Sequence, residues 1–259
     1  MLVSLSTQLA RAKRVHKPLV FVQVTTLEIA VAAVRAAEHE KRSIVLTIDA
    51  AHPLLYSLDY QVAATLQLGR MSHAEVTVEV ITGANHLAVE QALMAGAQVV
   101  SPQVTNISES QMLALFGWAA NQAKAQGAEI MADFSYLHSS DWHQRSHALS
   151  AKHQVAGFRA PLLGKDMKLH AASLAADVKT LKLPVIAAAA EYRPSQLRRF
   201  SEIGVNGVTF TEMLDEAFTA GLRTALRNRS HNLARYYLPK GQLAVEEFLV
   251  ATFRQLCLK

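Results

Sequence analysis

Cysteine is almost missing from this 259-residue chain. Cys257 stands alone, so no intrachain disulfide can form and a cysteine-rich zinc site is excluded. Aromatic residues are also scarce, at 7% against 51% hydrophobic residues, and small Ala and Val are abundant. That balance suits helices packed closely on a buried sheet. No uninterrupted apolar run is long enough to span a bilayer, and no apolar core with a cleavage site opens the chain. A cytoplasmic protein with no membrane partner is the expectation. Basic residues exceed acidic ones by 26 − 21 = 5, without a dense block and without interleaved aromatics. Nucleic acid is therefore not an expected partner, whereas a small anionic metabolite is compatible with the surplus.

What the chain does have is alternation. Short, nearly continuous apolar runs predict strands at 19–24, 43–49, 75–82, 97–101, 129–134, 155–160, 183–188 and 207–210. Amphipathic stretches separate them, among them 27–41, 110–126 and 194–203. In the first, Leu27, Ala30, Val31, Val34 and Ala37 share one face, with Arg35, Glu38 and Lys41 turned outward. Pro194 and Gly204 bracket the third as a first helical position and a stop. Eight strand–helix units in this length predict an α/β protein with a (β/α)8 TIM-barrel fold. An open doubly wound sheet would carry a glycine-rich turn after its first strand, yet Val24-Thr25-Thr26-Leu27 has no glycine. No linker or composition break divides residues 1–259, so one domain is expected. An extra N-terminal helix at 7–13 and a C-terminal helical extension at 243–256 are expected to cover the barrel ends.

Several segments carry a family resemblance in collinear order. They are Met1-Leu2-Val3-Ser4, Val24-Thr25-Thr26-Leu27-Glu28, Ala36-Ala37-Glu38 and Glu90-Gln91-Ala92-Leu93-Met94-Ala95-Gly96. Leu183-Pro184-Val185, Glu202-Ile203-Gly204-Val205 and Arg235-Tyr236-Tyr237-Leu238-Pro239-Lys240 continue the series. Together they resemble the class II fructose- and tagatose-bisphosphate aldolases over the whole chain. The resemblance implies a barrel whose zinc ion, held by three histidines, polarises a ketose carbonyl while an aspartate moves the proton. It also implies self-association as a homo-oligomer, a dimer or tetramer.

At the matching positions this sequence departs from that pattern. Ile81 stands where the proton-transfer aspartate would be, and Thr82 where the first histidine would be. Leu163 and Ala188 occupy the other two ligand positions. Leucine, isoleucine and alanine bind no metal at any pH, so loss of the zinc is expected. The glycines that let backbone N–H groups approach a phosphate are replaced by Ala189-Ala190-Glu191-Tyr192 and Thr209-Phe210-Thr211-Glu212.

The residues expected at the strand ends remain as candidates. Asp49, Gln103, Asp133, Arg159, Glu191, Arg193 and Thr209 form the candidate ligand-binding set, with Gln23, His52 and Thr82 beside them. The alternative for Arg159 is structural: pairing with Asp133 or Glu191, it would fill the space that a metal vacates. His143 and His147, four apart, make half a metal site with no acidic third ligand nearby, or else are exposed loop residues. Lys165 and Lys168 follow the sixth strand as loop residues rather than Schiff-base lysines. Tyr136 and Trp142 either close over a ligand or pack. The leading expectation is an aldolase-like pseudoenzyme acting in binding, regulation or assembly. Its rivals are a metal-independent lyase acting on a sugar phosphate or related carbonyl compound, and a small-metabolite sensor.

Overall fold

The computed structural model describes residues 1–52, 55–137, 139–161, 167–181, 183–189, 197–227 and 233–257. Its strands are β1 (Leu19–Gln23), β2 (Ile44–Asp49), β3 (Val76–Thr82) and β4 (Val99–Pro102), then β5 (Glu129–Ile130) and β6 (Ala132–Asp133). They are followed by β7 (Phe158–Arg159), β8 (Val185–Ala189) and β9 (Gly207–Phe210). All pair in parallel, in the order β5-β4-β3-β2-β1-β9-β8-β7-β6. β5 and β6 are halves of one strand, β5 pairing with β4 and β6 with β7, and a Gln103–Asp133 bridge joins the seam. Nine segments thus make the eight staves of a (β/α)8 barrel.

The helices are α1 (Leu5–Val15), α2 (Leu27–His39), α3 (Leu58–Met71), α4 (His86–Met94) and α5 (Glu109–Ala125). α6 (Ser139–Lys152), α7 (Met167–Thr180), α8 (Arg198–Ile203), α9 (Glu212–Leu226) and α10 (Ala234–Gln255) complete the outer layer. Local sequence fixes their starts. The Thr26 and Asn85 side chains accept the N–H groups of Ile29 and Ala88, and Ser108 with Gln111 forms a reciprocal capping box. Gly204 ends α8 at φ +88°, a conformation that other residues adopt only under strain. Pro194 lies outside the described residues.

Each strand turns alternate residues inward. At the N-terminal end of the barrel, Leu19, Phe21, Val45, Val99, Met131 and Ile186 form an apolar layer. Leu5, Leu9 and Ala12 of α1 close it from below, so the first helix covers an end as expected. α10 does not. It starts nine residues before the expected helix and lies along the barrel wall against α9 and α2. Pro239 lies inside it without stopping it. That second contact explains why α2 is buried on two sides, with Ala32 and Ala33 fully enclosed beyond the expected stripe. The seventh segment is also shorter than the expected 155–160 strand, pairing only at Phe158 and Arg159. Among the described residues, no helix is long and apolar enough to cross a membrane.

Candidate functional site

Above the apolar layer the inward residues become polar. Arg159 on β7 is 1% exposed and sits at the centre. Its Nη1 donates to Asp133 Oδ2 at 2.8 Å. Its Nη2 donates to both oxygens of Glu79, at 2.9 and 2.7 Å, and Nε donates to Thr209 Oγ1 at 3.1 Å. Glu79 in turn accepts from Thr47 Oγ1 and Ser101 Oγ, each at 2.6 Å. Asp133 Oδ1 accepts from the Ser135 backbone N–H at 2.8 Å and from the Ser135 hydroxyl. The guanidinium stands 5.6 Å from the Phe21 ring centroid, on top of the apolar layer. Every charge in this plug is met by an opposite charge and by a hydroxyl, donating to the carboxylates and accepting from Arg159, the condition on which ions are tolerated in an interior. Burial works against the Arg159 charge, but Glu79 and Asp133 outweigh it and hold the group more firmly protonated than usual.

The pairing of Arg159 with Asp133 was legible in the sequence; its bidentate partner Glu79 was not. Glu79 lies within Val-Thr-Val-Glu-Val-Ile-Thr, a strand buried along its whole length. The overlooked signal was a lone carboxylate in such a run, which must face a countercharge across the barrel. Glu191, the other expected partner, lies outside the described residues, as do Arg193, Leu163 and Lys165. Lys168 falls within helix α7 rather than in a loop.

Over the plug opens a cavity of about 260 Å³ at the C-terminal ends of the strands. The expected residues Gln23, Asp49, His52, Gln103, Asp133 and Thr209 all line it together with Arg159. Thr82 does not belong to this set. Alternation turns Ile81 into the cavity and Thr82 toward the helices, where its hydroxyl is buried without a hydrogen-bond partner among the described residues. Thr82→Val is therefore expected to be neutral or stabilising by up to about 1 kcal/mol in denaturant unfolding. A loss of several kcal/mol would show that the hydroxyl does bond.

Asp49 organises one wall. Its Oδ2 lies 3.2 Å from the donor Gln23 Nε2 and 3.0 Å from His52 Nδ1, and its Oδ1 accepts the Ala51 N–H. Tyr136 packs near His52, with ring centroids 6.3 Å apart, and lines the mouth while remaining exposed. Burial and the nearby charges of Asp49, Asp133 and Glu212 push its phenol pKa up. Trp142 instead packs in the core beside Phe134. The opposite wall comes from Thr211, Glu212 and Asp215, which sequence reading did not weigh as a group. Both carboxylates sit in the first turn of α9, where the helix dipole favours negative charge. Asp215 Oδ1 also accepts from Thr25 Oγ1 at 2.5 Å.

His143 and His147 are on helix α6, not in a loop. An acidic neighbour exists after all: Asp177 of α7 is 2% exposed, and its Oδ1 is 2.5 Å from His143 Nδ1. Among the described residues no group of three His, Cys, Asp or Glu is placed to hold a metal ion. Desolvation raises the Asp177 pKa, with His143 and His147 opposing it. A carboxyl whose folded pKa exceeds its unfolded value of about 3.9 stabilises the fold increasingly as pH falls toward that value. Asp177→Asn is expected to remove that component. The stability difference between wild type and variant should shift in favour of wild type on acidification from pH 7 to 4. A difference independent of pH would contradict the assignment.

A parallel barrel with a polar mouth is the architecture of many enzymes, and its ligands bind at this face. No family model matches the chain, and no curated protein matches its sequence. Solved structures do match its fold. The YdjI aldolase from Escherichia coli K12 superposes with a TM-score of 0.84 at 11% identity, covering 99% of this chain and 97% of the other. The fructose-bisphosphate aldolase Fba from Campylobacter jejuni gives 0.81 at 13% identity over 99% and 96% of the two chains. A protein described as a fructose-1,6-bisphosphate aldolase from Coccidioides immitis gives 0.79 at 15% identity over 95% and 93%. The chain therefore shares the aldolase-type barrel that its sequence resemblance led us to expect.

Proposed function

We propose that this protein is an aldolase-type barrel without a catalytic zinc, acting as a binding or regulatory protein through the cavity at its mouth. One observation carries the reading. The Ile81 and Ala188 side chains line the cavity where the resemblance would put a proton-transfer carboxylate and a zinc ligand. Neither residue offers a donor atom. Thr82, at another ligand position, is turned away from the cavity, so the described side chains at these positions do not fit the metal. The ion-paired Arg159 plug closes the floor in place of an open metal site.

Cleavage of fructose 1,6-bisphosphate and tagatose 1,6-bisphosphate, assayed with zinc added, tests it. The expected result is no turnover above the uncatalysed rate. Zinc-dependent cleavage abolished by a chelator would overturn the reading.

A second reading has its own observation. The Asp49–His52 pair is a carboxylate-oriented imidazole at the cavity edge, able to act as a general base without a metal. If a metal-independent lyase operates here, product should form in the presence of chelator. His52→Ala should then lower kcat by about 10²-fold or more, the usual contribution of a positioned base. Unchanged turnover in that variant would exclude His52 as the base.

A further inference from the structure

The cavity's described lining has a definite sign. Asp49, Asp133, Glu212 and Asp215 present four carboxylates to it, and Arg159 is the single permanent cation. That cation is already committed, bound on one side to Asp133 and on the other to Glu79. Glu79, Asp133 and Arg159 together therefore carry a net single negative charge, to which Asp49, Glu212 and Asp215 add three more. His52 can offset one of these when protonated, through its contact with Asp49. A phosphorylated or carboxylated metabolite entering this space would meet repulsion from the described walls. This runs against the anionic ligand expected from the overall positive charge of the chain, because the surplus of lysine and arginine does not lie at the mouth among the described residues.

The acidic wall is joined by an independent feature. Gln103, at the end of β4, is only 9% exposed and lines the same cavity. Its backbone N–H is bonded to the Thr82 carbonyl, yet its carboxamide has no hydrogen-bond partner among the described residues. The residue is otherwise enclosed and its amide reaches only the cavity, so its donor and acceptor are available to whatever occupies that space. Glu212 is exposed at the rim and has no hydrogen-bond or ion-pair partner among the described residues, so its charge is uncommitted there. At about 260 Å³ the space suits a small molecule rather than a polypeptide segment.

From these observations we infer that the mouth binds a small cationic ligand: an ammonium or guanidinium group seated between Glu212, Asp215 and Asp49, with a polar body reaching Gln103. The inference deepens the zinc-free binding reading by naming its ligand class, and it rests on the cavity that reading uses. The cation would replace its hydration shell with charge-assisted hydrogen bonds, while Gln103 donates to and accepts from the ligand's neutral polar groups. Tyr136, exposed at the rim, adds an aromatic face of the kind that cations favour.

The experiment is a set of direct titrations, by saturation-transfer NMR and calorimetry, of the full chain with chosen probes. N-methylglucamine and agmatine supply the two cationic groups. Sorbitol is the neutral counterpart of the first, and fructose 1,6-bisphosphate is the anionic comparison. At least one cation is expected to bind about tenfold or more tightly than sorbitol, one charge-assisted contact's worth, and to weaken as salt is raised. Glu212→Gln combined with Asp215→Asn should weaken it at least about fivefold, and Gln103→Leu should weaken it while leaving the salt dependence in place. Both sets of substitutions are at the surface of the cavity, and their folding is checked by the unfolding midpoint. Fructose 1,6-bisphosphate binding more tightly than either cation, or no saturable binding by either cation, would overturn the inference. Failure of the zinc-free reading shows separately, as metal-dependent turnover, and does not depend on which of these probes binds.

Discussion

Arg159→Leu is expected to destabilise the protein by about 3–5 kcal/mol, because it leaves Glu79 and Asp133 as uncompensated charges inside the barrel. For a chain of this size that is a fall of roughly 10 °C in the unfolding midpoint. The larger part of that cost is not the worth of the ion pair but the penalty of the two stranded carboxylates. Removing all three groups at once distinguishes these quantities. A variant carrying Glu79→Leu, Asp133→Leu and Arg159→Met should recover most of the loss, since buried ionic groups replaced by apolar side chains of similar volume are often neutral or stabilising. Denaturant unfolding of the single and triple variants decides the matter. If the single substitution costs less than about 1 kcal/mol, the plug is not the electrostatic unit described. If the triple variant is worse than the single one, the hydrogen bonds from Thr47, Ser101 and Ser135 contribute more than the charges cost.

The second large effect is expected far from the mouth, where α10 crosses α9. A Cβ on Gly221 would land on the Lys240 carbonyl and the Gly241 backbone, and one on Gly241 would strike the Phe218 ring. The two helices therefore approach through glycine, and the contact is between backbones that cannot turn aside as a flexible side chain can. Gly221→Leu should force α10 away from α9 and α2 at a cost of about 3 kcal/mol, the upper end for overpacking. Hydrogen exchange should show the loss of protection concentrated in α10 and α2, with the strands unaffected. A uniform loss across the barrel, or none, would contradict this picture of a side-mounted terminal helix.

How far the sequence anticipated these features follows from range of interaction. β1 is apolar up to its last residue because both faces are covered, so its pattern is local and legible. The fifth strand was seen as one run, but its break at Met131 belongs to the barrel's closure and has no local signal. The extent of α10 was missed because its first turns are largely exposed and its buried positions begin only at Gly241, so no apolar stripe marks its start. At the mouth, Asp49, Gln103, Asp133 and Arg159 were found from a simple rule, that strand ends share one face. Glu79 was lost one layer lower, where no strand-end rule applies, and Asp177 was lost because it reaches His143 from a different helix. Glu212 and Asp215 were hidden in another way: in the first turn of a helix, acidic residues need no further explanation.

The claim on which the functional account depends is that the cavity grips no divalent ion. Equilibrium dialysis of the full chain against zinc, with a chromophoric chelator reporting free metal, measures this directly. The account expects no stoichiometric zinc at concentrations that saturate a three-histidine site. One zinc per chain, lost when Asp49 and His52 are replaced by alanine, would place a metal at the mouth and contradict it.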